Sequence, residues 1–424
     1  MFLENVFGLE RLEKTRIFLL VLLAFCMPLH QKWSTIVLLA LVVVSLVSKK
    51  HKATFWSLPF LLPPILYLMI ALSLLYSERM EFRYLEQRAS LMAFPIIFSA
   101  SRLTSKDRVK LFEYFVLGCA LAVLICFGNA FYNSFSIIDG ELIFKPVVND
   151  AFSFMYSVVR DGNYFFSSHF SVFHQTTYFA IYLNTAIAII LAFSLWKKSK
   201  IHFILLLLFP LVIFQLSSKI SLLICGLIYV VYGLSRIGNK VYKGLFVAII
   251  FSIGTLFLLQ NPRSKIMIET LFERGFTIEP SERYGYSLRL MSWDAALYVA
   301  SKNPFLGVGV GDTQKELNAV YESKGYTQPL KEELNAHNQF LQIALVCGVV
   351  GVLIFIWLLW NLIRKSRLSN TPNNRLFNLL FLIMITLSFL FESVLNRFSG
   401  ISFFFFFYYL IITQEERKTM VNGN

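Results

Sequence analysis

The chain has 424 residues, 57% of them hydrophobic and only 15% charged, with a formal net charge of +14. The apolar residues come in uninterrupted runs rather than in the spaced pattern of a soluble core, so water is not the chain's main solvent. The runs show no alternation, which argues against a β-barrel.

Backbone groups in lipid must be satisfied within their own segment, and for long runs of Leu, Ile, Phe and Val a helix does this. The first run, 17–29, is preceded by Arg11, Lys14 and Arg16. It leads into His30 and Lys32 with no small-residue cleavage site, so it reads as a span and not as a secretory signal. Further runs fall at 33–47, 55–75, 85–100, 111–132, 176–196, 201–216, 220–234, 245–259, 338–363, 376–391 and 398–412. They predict an all-α polytopic membrane protein with about twelve transmembrane helices.

Basic clusters recur in alternate loops: Lys49, Lys50 and Lys52; Arg102, Lys106, Arg108 and Lys110; Lys197, Lys198 and Lys200; Arg236, Lys240 and Lys243; Arg364, Lys365, Arg367 and Arg375. With the termini, these loops hold most of the 39 Lys and Arg but few of the 25 Asp and Glu. Such an excess marks the cytoplasmic face, which places both termini inside and the loop beginning at Asn261 outside. The charge is therefore a topology signal and not a nucleic-acid footprint. Cys26, Cys119, Cys126, Cys225 and Cys347 all lie within apolar runs and read as buried small residues.

Two outer loops are long enough to fold, 133–175 and 261–336. The expected division is 1–260, a bundle of about nine spans that includes loop 133–175; 261–336, a large helical outer loop; and 337–424, three spans and a cytoplasmic tail. Loop 133–175 has no readable motif and ends with His169 and His174 just ahead of the next span. Loop 261–336 predicts an amphipathic helix near 264–272 and a stronger one over 284–300. GVGVGD follows, with Gly307, Gly309 and Gly311 in a turn and Asp312 as N-cap of a helix reaching Ser323. That turn follows a helix and lacks a Lys-Ser/Thr partner, so it is no phosphate-binding fingerprint; it reads as a place where backbone approaches another helix.

The polar groups at outer helix ends are mostly cations: Arg79, Arg83, Arg88, Lys219, Arg289 and Arg397, with His174 and His337. Cations near hydrocarbon need a partner or a route to the interface. A group of them facing one region would seat an anionic headgroup such as a diphosphate, for which arginine offers forked donors. Each could equally snorkel alone. Arg289 lies one turn before Trp293, which leaves cation–π packing or pairing with Asp294 or Glu282 open. His337, at the start of an apolar span in NAHNQFLQ, has a side chain suited to taking a proton. His169, His174 and His337 lack metal-site spacing, and Asp139-Gly140-Glu141 is only a weak approach to an acidic metal motif.

The helix with Arg289, Trp293 and Ala296, then NPFLGVGVGD, then HNQFLQIALVCGVVGVLIF with His337 and Asn338, resembles the signature region of the O-antigen ligase and polymerase superfamily. LEQRASLMAFPIIFSA around Arg88, LSSKISLL around Lys219 and FESVLNRFSG around Glu392 extend the likeness over most of the chain. The resemblance implies a GT-C-like fold in the bacterial inner membrane with its active site facing the periplasm. It implies transfer of a glycan from undecaprenyl diphosphate to an acceptor, with Arg289, Lys219 and Arg88 on the diphosphate and His337 activating the acceptor hydroxyl. His174, Asn338, Trp293 and Glu392 would support them. Where the family's turn usually reads Ser-Arg, this chain has Ser218-Lys219, which keeps the charge but loses the fork.

The diphosphate is already a good leaving group, so cations to hold it and a base for the hydroxyl suffice, and the expectation is a metal-independent enzyme without cofactor. Its expected partners are the carrier-linked glycan donor, lipid A-core or another glycan acceptor, and membrane lipids. A polysaccharide polymerase and a protein O-oligosaccharyltransferase are alternatives within the superfamily. A flippase would need ionisable residues in mid-membrane, and a non-catalytic assembly scaffold remains a further class.

Overall fold

The computed structural model describes residues 9–47, 55–144, 164–260, 268, 271, 272, 275, 277–282 and 285–414. The apolar runs read from the sequence fall largely on helices, from Leu9–Cys26 through Phe398–Ile412. Among the described residues, five helices are long and apolar enough to cross a membrane: Ser105–Ser134, Lys219–Arg236, Lys240–Phe257, Gln339–Leu368 and Pro372–Phe391. Shorter apolar helices of 10–17 residues accompany them. The run 85–100 is not one helix, because three-residue turns such as Arg88 N to Leu85 O (3.0 Å) separate Arg83–Glu86 from Ser90–Ala100. Most of the helix expected at 264–272 lies outside the described residues.

The chain forms two compact units, one comprising Met1–Leu20, Ile36–Arg108 and Leu288–Asn424, the other Val21–Thr35 and Val109–Ser287. In the first, Leu58–Ser73 contains Pro63 and Pro64. Proline has no N–H, so the carbonyls four residues back, at Pro59 and Phe60, lose their helical donors. Tyr408 and Tyr409 hydroxyls donate to these two carbonyls, each at 2.9 Å. The phenylalanine run of the last helix is wholly buried, with Phe403 through Phe407 at 0% exposure, so its aromatics face protein.

The segment of this unit between Ser287 and the helix beginning at Gln339 has a core that includes Met291, Ala295, Ala296, Val299, Leu317, Val320 and Tyr321. Its first helix is Ser287–Lys302, a few residues later than the 284–300 read from the sequence. The glycine turn does bring backbones together, and more closely than its residue types alone indicate. At Gly348 the helix Gln339–Leu368 breaks, with φ 61° and ψ −160°. In an unbroken helix the Val349 N–H would bond to the Leu345 carbonyl. Here Val349 N donates to Pro304 O (2.8 Å), and Leu345 O accepts from Val308 N (2.7 Å). The turn thus replaces the missing helical bond within an apolar span, where an unsatisfied pair would cost several kcal/mol, roughly.

The same turn straps the end of Leu58–Ser73 and the residues after it, since Ser73 Oγ accepts from Val310 N (3.1 Å) and Tyr76 donates to Leu306 O (2.7 Å). Asp312 does precede a helix, Thr313–Ser323, but it makes no capping bond. Its carboxylate accepts instead from the backbone amides of Glu78 (2.7 Å) and Arg79 (3.3 Å). Two amides of a loop distant in sequence compete with the helix for one carboxylate, and the tertiary partner holds it.

In the second unit Thr176–Ala192 is the core helix, buried continuously from Tyr178 to Ala192 and packed by Lys200–Gln215 and Lys219–Arg236. Loop 133–175 opens with a hairpin, Phe135–Ile138 against Glu141–Phe144, that the sequence reading missed. Its signal was present: Asp139-Gly140 between apolar four-residue runs is a two-residue hairpin turn, and both residues have positive φ, 53° and 83°.

Candidate functional site

Three elements of the first unit converge on one polar cluster: helix Ser287–Lys302, the start of helix Gln339–Leu368, and the loop 392–397. Asn338 caps the long helix, its Oδ1 accepting from Phe340 N (2.9 Å) and Leu341 N (3.1 Å). The residue before the cap, His337, has φ 44°, a left-handed conformation that a non-glycine residue adopts only when its surroundings hold it. Those surroundings are visible. Asn335 Oδ1 accepts from His337 N (2.8 Å), and the Trp293 indole N–H reaches the His337 carbonyl (3.4 Å).

The imidazole Nδ1 lies 3.4 Å from Glu392 Oε1. That carboxylate, 8% exposed, also accepts from the amide of Ser393 (3.2 Å). Burial alone would raise the Glu392 carboxyl, but His337, the charge of Arg289 and the Ser393 amide outweigh it and hold the group below its usual range. Glu392 is therefore an anion at neutral pH. Burial lowers the Arg289 guanidinium from its usual value while the Glu392 charge works in the opposite direction. His337 Nδ1 approaches this anion without forming a hydrogen bond, so the contact between them is electrostatic.

Trp293 completes this side of the cluster, 6.1 Å from Phe391 between ring centres. Its indole is engaged with His337, and Asp294 is engaged with Lys324 (2.6 Å) and the Tyr326 hydroxyl (2.8 Å). The charge of Arg289 is felt at Glu392.

Six of the eight residues singled out from sequence fall in this unit: Arg88, Arg289, Trp293, His337, Asn338 and Glu392. Arg88 is 5% exposed and donates to the Tyr84 carbonyl (3.0 Å) and to Asn396 Oδ1 (2.9 Å). It lines a cavity of about 30 Å³ with Gln339, Gln342 and Cys347, room for one or two waters. Gln339 and Asn396, which the sequence reading passed over, are part of the same framework. Gln339 Oε1 accepts from Leu395 N (2.6 Å), and the available signal was an amide side chain at each apolar helix end.

Lys219 and His174 belong to the second unit. Lys219 is the first residue of its helix, half-buried, and follows Ser217, which has φ 54°. Ser218 Oγ and Ser221 Oγ are 2.7 Å apart, and Ser221 O accepts from Asn184 Nδ2 (2.9 Å). His174 is packed edge-on to Tyr182, 5.1 Å between ring centres. Burial lowers its imidazole to about 4, against the opposing pull of the Met27 and Pro28 backbone. It is neutral at physiological pH and contributes no positive charge toward an anion.

A family model described as O-antigen ligase matches residues 170–356, a stretch that contains His174, Lys219, Arg289, Trp293, His337 and Asn338. No curated protein matches the chain.

Proposed function

We propose, from the match of the O-antigen ligase family model to residues 170–356, that the chain is a glycosyltransferase of that family that moves a glycan from undecaprenyl diphosphate to lipid A-core on the periplasmic face of the inner membrane. The observation that carries the reading is His337, held in a strained backbone conformation with Nδ1 toward an anionic Glu392 and with Arg289 alongside.

The acceptor hydroxyl attacks the anomeric carbon of the carrier-linked glycan, a C–O bond forms there, and the bond to the diphosphate oxygen breaks. The hydroxyl proton passes to His337 Nε2, and Glu392 offsets the imidazolium charge. Arg289 faces the departing diphosphate and balances the charge that develops on its bridging oxygen. Approach from the side opposite the leaving group makes the transfer inverting. The phosphate role read for Lys219 is a separate element of the proposal, tested by Lys219→Ala against Lys219→Arg.

The sequence supplies no acidic metal motif, so the proposed reaction uses cations of the chain alone, and EDTA-washed membranes should keep full transfer. Loss restored by a divalent ion would remove that part. The deciding assay uses purified protein with a labelled carrier-linked glycan and two acceptors, lipid A-core and a second carrier-linked repeat. Transfer to lipid A-core supports the ligase, elongation on the carrier alone makes the chain a polymerase, and no transfer to either acceptor rejects both.

A further inference from the structure

The carboxylate that faces His337 sits on a six-residue loop, 392–397, between the helices Pro372–Phe391 and Phe398–Ile412. Val394 at 0% and Leu395 at 8% exposure fix this loop in part by packing. Polar anchors fix the rest. Asn338 Nδ2 donates to Leu390 O (3.1 Å), at the end of the preceding helix. Gln339, 2% exposed, receives Leu395 N, and Arg88 donates to Asn396 while its other terminal nitrogen is held by Tyr84 O.

The register of these bonds matters. Asn338 and Gln339 directly follow His337 in the chain, so the residues that fix the loop and the imidazole are consecutive on one rigid helix start. Arg88 lies beside a small cavity that Leu66, Leu91 and Phe405 also line, and its named acceptors are uncharged. A buried guanidinium committed to a loop amide is placed to brace that loop.

We infer that Arg88 and Gln339 are positioning residues that hold the loop 392–397 so that Glu392 meets His337, and that Arg88 does not itself contact the diphosphate. The inference rests on reading His337 and Glu392 as the proton-accepting pair.

The test uses the purified full-length chain, with transfer measured as kcat and as KM for carrier-linked donor from pH 5.5 to 9. Asn396→Leu and Arg88→Lys should lower kcat about tenfold or more, as small misplacements at a reacting centre do. KM for the donor should stay within about twofold. Glu392 faces His337 at 3.4 Å, so loosening the loop acts on kcat through that contact. Asn396→Asp, which still offers Arg88 an acceptor, should retain most of the activity.

A raised donor KM in Arg88→Lys, together with a silent Asn396→Leu, would identify Arg88 as a diphosphate ligand and overturn the inference. Equal loss in Asn396→Leu and Asn396→Asp would reduce the contact to scaffolding and overturn it too. The Nδ1 resonance of His337 in nitrogen NMR, assigned by comparison with His337→Ala, reads the approach of Glu392 without any turnover. At one fixed pH it should be displaced in Asn396→Leu and unmoved in Asn396→Asp, and an unmoved resonance in both would overturn the inference. If wild type transfers nothing while that resonance behaves as stated, the proposed reaction fails and the positioning stands.

Discussion

His337 and His174 stand at similar places in the sequence, each two residues ahead of a helix, yet the structure gives them opposite characters. His337 is half-buried with Glu392 at 3.4 Å and Arg289 acting on the same carboxylate. His174 is packed on Tyr182 and against backbone, and burial keeps it neutral. The residue type is the same; the companions decide whether an imidazole can exchange protons with a substrate or serves as a packed, uncharged ring.

The sharpest way to break this contrast is substitution. His337→Ala should reduce glycan transfer by roughly 100-fold or more, the range expected for a lost general base, while His174→Ala at equal expression should stay within about twofold. Equal losses in both would dissolve the distinction. Glu392→Gln comes next, with an expected loss of about tenfold in kcat, because a neutral amide cannot offset the charge of an imidazolium. Since the Glu392 carboxyl is held below its usual range, its contribution is fully present above the ordinary carboxylate value and disappears as pH falls through the lowered one.

His174 makes the complementary prediction about stability. Its imidazole is at about 4 in the fold and near 6.5 when unfolded, so the unfolded chain binds the extra proton between those values. Stability should therefore be constant above pH 6.5 and fall by up to roughly 3 kcal/mol toward pH 4. Thermal melts in detergent should show this slope in wild type and a shallower one in His174→Gln; an unchanged slope would show that His174 is not the group responsible.

Two smaller effects compare the broken helix with the proline-containing one. Gly348→Ala should cost more than about 1 kcal/mol, since a Cβ at that positive φ would collide with the Phe305 carbonyl, and the melting temperature should drop. Tyr409→Phe leaves the Phe60 carbonyl, already deprived of its helical donor by Pro64, without its hydroxyl partner, at a cost of about 1 kcal/mol. A melting temperature unchanged in Tyr409→Phe would mean that this carbonyl finds another donor.

Much of the fold was legible because lipid permits few solutions. Runs of apolar residues with basic loops between them become helices whatever their order, and the aromatic run 403–407 could only be an apolar segment. The hairpin at Asp139-Gly140 was equally legible, but acidic residues around a glycine drew attention to metal chemistry before turn geometry. The candidate site was legible as residue types and not as partnerships. Arg88 was read as a phosphate contact because an arginine at a helix end has that chemistry, and nothing local reveals that Asn396, 308 residues away, receives its guanidinium. Asp312 was read as a cap for the same reason, since its nearest amides in sequence are not the ones it meets in space.

The sequence by itself determined that the chain is helical, apolar and polytopic, and it supplied His337, Arg289 and Glu392 as groups able to act, because hydropathy and side-chain chemistry are properties of short segments. Only the tertiary structure decided which imidazole faces a carboxylate, that the helix beginning at Gln339 breaks at Gly348, and that a glycine turn some forty residues earlier fills the break. Those outcomes depend on bonds between residues far apart in the chain, and such bonds form only after the helices have packed.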